Sequence, residues 1–600
     1  MSTTITTTQV STRVGPATLV GRQWTVTPLM PWSGDVSAAA TTYTTRNAAK
    51  TKTIDVYLGV KYAVPPTGTN RWKPATDYDY PGGSYDCGTW PDVPYQSYIS
   101  EYDTDGRPEW GVNNGAWNWS GYGVSESEDI AKLNIWRPTG AAPTGGWPVI
   151  FWVHGGAWTV NSAIAYQTRG HRQAVEGAIV VTVEYPLSNF GHFYATEFEG
   201  EAVWDTPSFA YTYILSALRW VNRNIASFGG SPTKLCIGGS SAGGAAVLGL
   251  LEDTAANGLY TSAWVTSGGG NGERYGPNEA HTNLGYAQYY EKFRTAIDAA
   301  APYLKDYSMP SRTLEAAIIA DGFANGIRKG MTPAAVMALA DARDRITITG
   351  GVASFTYTGT ANKFPFQDAN HLTYASSIDA AKAGALTKVP TVILTAENEA
   401  STSGNYLTTD MDPYANLLGL DSYADWQALA WISGGWADSE RRRLLYNHSI
   451  FQYPAWRETK AIHLDGGTVW RVFWNYSSAT RANHTSDVQY LFGNIEWQVA
   501  MNGAEAEVTA DGIEMGDAMM RAMRNLAANG DPNTAYSYAN GFSLFASPTS
   551  FSFTEVDDAA GPYKWNIIGN ATGTASGAPV QSTYTDYFNA AWTDYLALKG

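Results

Sequence analysis

The segment Leu235-Cys-Ile-Gly-Gly-Ser-Ser-Ala-Gly-Gly244 begins as a short apolar strand and ends where a helix can start. Within it, Gly239-Ser240-Ser241-Ala242-Gly243 matches the pattern G-x-S-x-G. Taken alone the match carries little weight, because 60 of the 600 residues are glycine. The context adds to it. Leu235-Cys-Ile237 reads as a strand, and Ala245-Ala-Val-Leu-Gly-Leu250 continues the segment as a helix. Glycine on both sides lets strand and helix pass close together, so Ser241 can occupy a sharp turn with its hydroxyl exposed. The N–H of Ala242 then opens a helix whose positive end faces a developing oxyanion. A Gly-rich turn with a structural serine is the plain alternative.

Upstream, Val149-Ile-Phe-Trp-Val153 is another short apolar run, and Val153-His-Gly-Gly-Ala-Trp158 follows it. Consecutive side-chain-free residues after a strand can aim backbone N–H groups at one point, as an oxyanion hole requires. Together the two segments fit acyl transfer. Further apolar runs are Ala178 to Val183, Thr391-Val-Ile-Leu394 and Val469 to Trp474. Between two of them, Tyr211 to Ala226 places Ile214, Leu215, Leu218, Val221 and Ile225 at helical spacing. Short strands separated by helices imply crossover connections and a mostly parallel sheet flanked by helices. Residues 1–50 are Thr-rich and read as an extended or hairpin arm. From about 270 to 385 the text is Ala-rich and reads as a mainly helical cap insertion (Leu314 to Ile327, Pro333 to Ala342). No internal repeat or long linker divides the chain, so residues 1–600 are expected to form one domain.

Composition narrows the function. A net charge of −16, from 39 Lys+Arg against 55 Asp+Glu, argues against a nucleic-acid partner. Hydrophobic residues at 44% and charged residues at 16% are those of a globular chain with a large core. Two cysteines, Cys87 and Cys236, make no disulfide framework, and we expect them unbonded. No apolar run approaches the ~18–20 residues of a membrane span. The N-terminal MSTTITTTQV has neither a basic n-region nor an apolar h-region, so no secretory signal is read; the chain is cytoplasmic, or exported with its signal removed. The absence of H-E-x-x-H, C-x-x-C and G-x-G-x-x-G implies neither metal nor dinucleotide, and no cofactor is expected.

Several blocks, in order, resemble the type-B carboxylesterase family, the cholinesterase-like branch of the α/β-hydrolases. They are Leu58-Gly-Val-Lys-Tyr-Ala-Val-Pro-Pro-Thr-Gly68 with Arg71-Trp72, Ser127-Glu-Asp-Ile-Ala-Lys-Leu-Asn-Ile135, Trp220-Val-Asn-Arg-Asn-Ile-Ala-Ser-Phe-Gly-Gly-Ser-Pro232 and Asn529-Gly-Asp-Pro-Asn533. The resemblance implies an α/β-hydrolase fold and a carboxylic ester hydrolase working through an acyl-enzyme. It puts Ser241 on the nucleophile and Gly155, Gly156 and Ala242 on the oxyanion donors. It also puts Ser267 on a second serine that supports the triad, and Arg71 and Glu128 on a structural ion pair. Ile130 stands where the family has a cysteine, so the family's first disulfide is absent.

Val389-Pro-Thr-Val-Ile-Leu-Thr-Ala-Glu-Asn-Glu-Ala-Ser401 is similar to the family's acid segment. Both Glu397 and Glu399 follow the strand, and spacing alone does not choose between them. The family phasing places the acid at Glu399, leaving Glu397 exposed or supporting a neighbouring loop. His484-Thr-Ser-Asp-Val-Gln-Tyr-Leu-Phe-Gly493 is similar to the family's base segment and puts His484 on the base. Of eight histidines, only His448, His463 and His484 follow the acid, as the hydrolase order Ser, acid, His requires. Only His484 comes shortly after a strand-like run. Asn483-His484-Thr485 is also a glycosylation sequon, but a glycan beside the base would obstruct the site. Ser240, Ala157, Ala400, Tyr213-Ile214 and Pro186 depart from the family at positions that perform no chemistry. The expected partner is a small-molecule ester, neutral or cationic given the acidic chain, aromatic or medium-chain. An amidase, carbamate or polyester hydrolase would use the same machinery. A non-catalytic binding protein of this kind would typically have lost the serine or the histidine.

Overall fold

The computed structural model describes residues 4–26, 52–96, 112–113, 116–117, 123–192, 208–268, 345–349, 352–356, 370–374, 376–402, 410–418, 420–428, 437–474, 482–495, 510–533 and 566–568. The apolar runs become strands buried on both faces. These are β5 (Trp147–Val153), β6 (Ile179–Val183), β7 (Gly230–Ser240), β9 (Thr391–Ala396) and β10 (Val469–Trp474); β8 (Ser262–Thr266), which the sequence did not announce as an apolar run, lies between β7 and β9. Period-two alternation sorts their side chains between two cores. Val149, Phe151, Val153, Leu235 and Ile237 enter the core on one face, with Ile214, Leu218 and Leu248. Ile150, Trp152, Cys236, Trp264, Val392 and Leu394 enter the other, with Met519, Met523 and Leu526. Burial on both faces is why these strands read as unbroken hydrophobic runs.

Five more strands complete the main order: β1 (Thr4–Val14), β2 (Ala17–Val26), β3 (Lys52–Lys61), β4 (Lys132–Pro138) and β11 (Asn566–Ile568). The sheet runs β1-β2-β3-β4-β6-β5-β7-β8-β9-β10-β11, with Gly83–Asp86 pairing beside β2. From β6 to β11 every pairing is parallel. From β1 to β4, and between β4 and β6, every pairing is antiparallel. The sheet is therefore mixed, parallel where the sequence shows crossovers and antiparallel at its N-terminal edge. Five helices matter below: α1 (Phe209–Asn224), α2 (Ala242–Glu252), α3 (Asp438–Asn447), α4 (Tyr453–Leu464) and α5 (Ala510–Asn529). Helices α1, α2 and α4 contribute to the first core and α5 to the second. This is an α/β-hydrolase architecture.

The stretches expected to form helices of a cap, Leu314 to Ile327 and Pro333 to Ala342, lie outside the described residues. Between 270 and 385 the described residues hold an antiparallel strand pair, Arg345–Thr349 with Val352–Thr356, and a helix, Ser377–Lys382. Among the described residues no helix is long and apolar enough to cross a membrane. Cys87 and Cys236 are separate buried thiols, each pushed up to about 12 by burial. Arg71 and Glu128 form a two-pronged ion pair, Nε to Oε1 and Nη2 to Oε2, both 2.6 Å.

Candidate active site

Ser241 sits at the turn from β7 into α2 with φ 54° and ψ −122°, a left-handed conformation that side chains seldom adopt. The turn is held because its glycines allow backbones to touch. A Cβ on Gly239 would strike the Gly243 carbonyl, and one on Gly243 would strike the Val153 and His154 carbonyls. Ser241 N–H donates to the Thr266 carbonyl at 2.8 Å, anchoring the elbow to the end of β8. Ala242 is the first residue of α2, so its N–H has no acceptor within the helix and points from the positive end.

The loop after β5 lies against this elbow. A Cβ on Gly155 would stand 2.5 Å from the Ser240 carbonyl oxygen and 3.0 Å from Ser241 Cβ. Gly156 has φ +116°, and a Cβ there would collide with the Val160 carbonyl. Both positions therefore demand glycine. The Gly156 carbonyl accepts from Thr159 and Val160 N–H at 2.9 and 3.0 Å, closing the loop into a turn. Ala157 and Trp158 also take left-handed φ, 53° and 62°.

Glu399 opens a short turn of 3₁₀ helix just after β9 and is fully buried. Its Oε1 accepts from Ser267 Oγ at 2.7 Å and from Ala396 N–H at 2.6 Å, while Oε2 takes His484 Nδ1 in a close contact. With Nδ1–H on the carboxylate, Nε2 is the basic nitrogen of His484. The ring also packs on Phe451, centroids 5.0 Å apart. The loops that carry Glu399 and His484 are tied directly: Asn398 N–H donates to the Ala482 carbonyl and Asn398 Nδ2 to Asn483 Oδ1, both 2.8 Å. Glu399, His484 and Ser267 thus meet at the C-terminal ends of β8, β9 and β10. The elbow and the Gly155 loop meet at the same ends of β5 and β7.

Glu397 does not join this group, and it is not exposed. It is buried, and its carbonyl accepts from Arg443 Nη1 at 3.1 Å and Asn447 Nδ2 at 2.8 Å. Asn447 Oδ1 in turn accepts from Ala400 N–H at 2.7 Å, so one amide on α3 clamps both sides of the acid. Beneath it, buried Arg471 donates to the Ile393 and Val472 carbonyls, Thr395 Oγ1 and Gln452 Oε1. Burial pulls this guanidinium down to about 9, opposed by the charges of Glu399 and Glu458. Thr266 Oγ1 donates to buried Asp487 at 3.0 Å, and burial pushes that carboxyl up to about 8. Sequence reasoning missed these supports. Only Asp487 had a signal, standing three residues after His484 in the base segment. Among the described residues no three His, Cys, Asp or Glu side chains are grouped to hold a metal ion.

Residues 42–284 match the model of the carboxylesterase family. The human cocaine esterase is 30% identical over 215 residues, 36% of this chain and 36% of that protein. Carboxylesterase 3 of Pongo abelii is 33% identical over 221 residues, 36% of this chain and 35% of its own length. The chain thus spans little more than a third of the curated relatives it matches. Among solved structures, a PNB esterase superposes with a TM-score of 0.65 at 19% identity, covering 92% of this chain and 94% of that one. A Geobacillus stearothermophilus carboxylesterase does so with a TM-score of 0.62 at 20% identity, again covering 92% and 94%. Likeness at that identity is a likeness of fold.

Proposed function

We propose that this chain, whose residues 42–284 match the model of the carboxylesterase family, hydrolyses carboxylic esters by way of an acyl-enzyme. Ser241 is the nucleophile, His484 the general base and Glu399 the acid that orients it. Gly155, Gly156 and Ala242 N–H form the oxyanion hole, and Ser267 supports Glu399. As Ser241 Oγ attacks the ester carbonyl, His484 Nε2 takes its proton. The carbonyl oxygen becomes an oxyanion facing the three N–H groups. Collapse expels the alcohol, which receives the proton from His484. A water then repeats the sequence on the acyl-serine, the acid is released and Ser241 regains its proton. Glu399 keeps Nδ1–H in place and offsets the imidazolium charge throughout.

The observation that carries the reading is the buried Glu399 carboxylate on His484 Nδ1, at the same end of the sheet as a serine in a left-handed elbow. Relatives that are carboxylesterases and a cocaine esterase support an ester substrate. The acidic chain favours neutral or cationic esters, and we assign aromatic or medium-chain acyl groups. Retention of serine, acid and histidine argues against a purely binding role. A panel of chromogenic aryl and alkyl esters, with and without an organophosphate serine inhibitor, tests this. Inhibitor-sensitive turnover is expected, and its absence across the panel would refute it.

A further inference from the structure

Behind the Gly155 loop lies a buried pair of ionisable groups that the mechanism above does not use. Glu184, just past β6, and His154, just past β5, are 0% and 1% exposed. His154 Nδ1 lies 2.8 Å from the Gly155 carbonyl, which can only accept, so Nδ1 carries a proton; burial, which pulls the ring down to about 4, keeps it neutral and leaves Nε2 bare. That bare nitrogen faces Glu184 Oε2 at 3.7 Å, and among the described residues neither atom has a hydrogen-bond partner. The other carboxyl oxygen, Oε1, accepts from Ser162 Oγ and from Ala163 N–H at 3.0 Å. The two donors on Oε1 favour a carboxylate, but burial outweighs them, and a proton held by this carboxyl would sit on Oε2, the oxygen that faces the bare Nε2. An ionised Glu184 would instead set one lone pair against another in a dry site.

We propose that Glu184 positions the oxyanion loop, gripping its far end at Ser162 and Ala163 and facing His154 at its near end, and that it does so as a neutral carboxyl. The inference rests on the oxyanion role given above to Gly155 and Gly156. The loop from His154 to Ala163 is then held at both ends by one pair of side chains. Tyr185 adds to the grip by donating to the His154 carbonyl at 2.7 Å and stacking on its ring at 4.3 Å.

The surroundings fit a neutral group. Tyr62 on the neighbouring β3–β4 side donates to the Glu184 carbonyl, and burial pushes both Tyr62 and Tyr185 well above their ordinary range, so they stay uncharged. Lys132 accepts the Glu184 N–H through its carbonyl, while its ammonium pairs with Asp129 at 3.3 Å and only mildly favours the carboxylate. Burial pushes Glu184 up to about 8 and pulls His154 down to about 4. Above about pH 8 the pair gains a negative charge behind groups that must stabilise an oxyanion, and turnover falls.

The test compares kcat against pH for wild type and Glu184→Gln, whose amide keeps the shape of the neutral carboxyl. Wild type should lose about tenfold per pH unit on an alkaline limb above about pH 8. Glu184→Gln should keep kcat within a few-fold at pH 7, with little change in KM, and lose that limb. Asp487 also titrates near 8, so the difference between the two profiles is the readout, not the shape of either. Infrared difference spectra at pH 6 should show a protonated-carboxyl band in wild type that is missing in Glu184→Gln. An active enzyme whose limb is the same in both proteins, a missing band, or a Glu184→Gln chain that fails to fold would overturn the proposal. A wild type without ester turnover would instead overturn the functional reading on which it rests.

Discussion

At the scale of single residues, the acid is the sharpest choice the chain presents. Glu399 gives both oxygens to the site, one to His484 and one to Ser267 and Ala396, whereas Glu397 contributes its backbone carbonyl to the clamp from α3. Glu399→Gln should therefore lower kcat by about 10⁴-fold, because an amide presents a donor where the imidazole needs an acceptor. Glu397→Gln should stay within about tenfold of wild type; steady-state kinetics on one aryl ester compares the two, and the reverse ranking would reassign the acid. The candidate site was legible in the sequence where its residues stand on short motifs, as Ser241, Glu399 and His484 do. It was illegible where a side chain acts through the fold. Asn447 reaches the Glu399 loop from a helix about fifty residues further along, and Glu184 reaches the Gly155 loop from the end of a neighbouring strand. Neither has a spacing that announces its role.

At the scale of elements, the geometry of the elbow depends on backbones closer than any Cβ permits. Gly243 in the first turn of α2 lies against the carbonyls of Val153 and His154 on β5 and its exit loop. Those carbonyls belong to a central strand paired on both sides, which cannot retreat. Gly243→Ala should destabilise the protein by about 2–3 kcal/mol in urea unfolding. It should also lower turnover by displacing the helix that carries Ala242; unchanged stability would show that α2 slides freely over β5. The same two-sided burial made β5, β6, β7, β9 and β10 readable as apolar runs, whereas β8, Ser-Ala-Trp-Val-Thr, has too few apolar residues in a row to be read. The edge strands carry no such run: β2 sets Thr, Arg and Gln between its buried residues, and what was readable there is the extended or hairpin arm that residues 4–26 form as an antiparallel pair. The antiparallel third of the sheet follows from that edge.

At the scale of the whole molecule, buried ionisable groups set how stability varies with pH. Glu184 and Asp487 sit near 8 in the fold, against ordinary values of 4.5 and 3.8, so the folded state holds their protons more tightly. Their contribution falls as pH rises from about 4 to about 8. His154 and His448 lie near 4 and 3, and His171 well below its ordinary 6.5, so these three protonate first in the unfolded chain. Their contribution is complete above about 6.5 and is lost as pH falls toward 4. Three histidines outweigh two carboxyls on the acid side, and the carboxyls dominate from about pH 6.5 to 8, below the range near 9 where buried Arg471 begins to titrate. Stability from these groups should peak at about pH 6, and thermal unfolding across pH 4 to 9 measures it. A Tm still rising from pH 6 to 8 would show that the two carboxyls ionise without cost. The central claim, that Ser241 is the nucleophile of an ester hydrolase, is tested most directly by labelling the native enzyme with a fluorophosphonate and mapping the adduct by peptide mass spectrometry. One adduct per chain is expected, on Ser241, with labelling and ester turnover both lost in Ser241→Ala while Tm stays nearly unchanged. An adduct on another serine, or a Ser241→Ala enzyme that keeps a tenth of the activity, would contradict it.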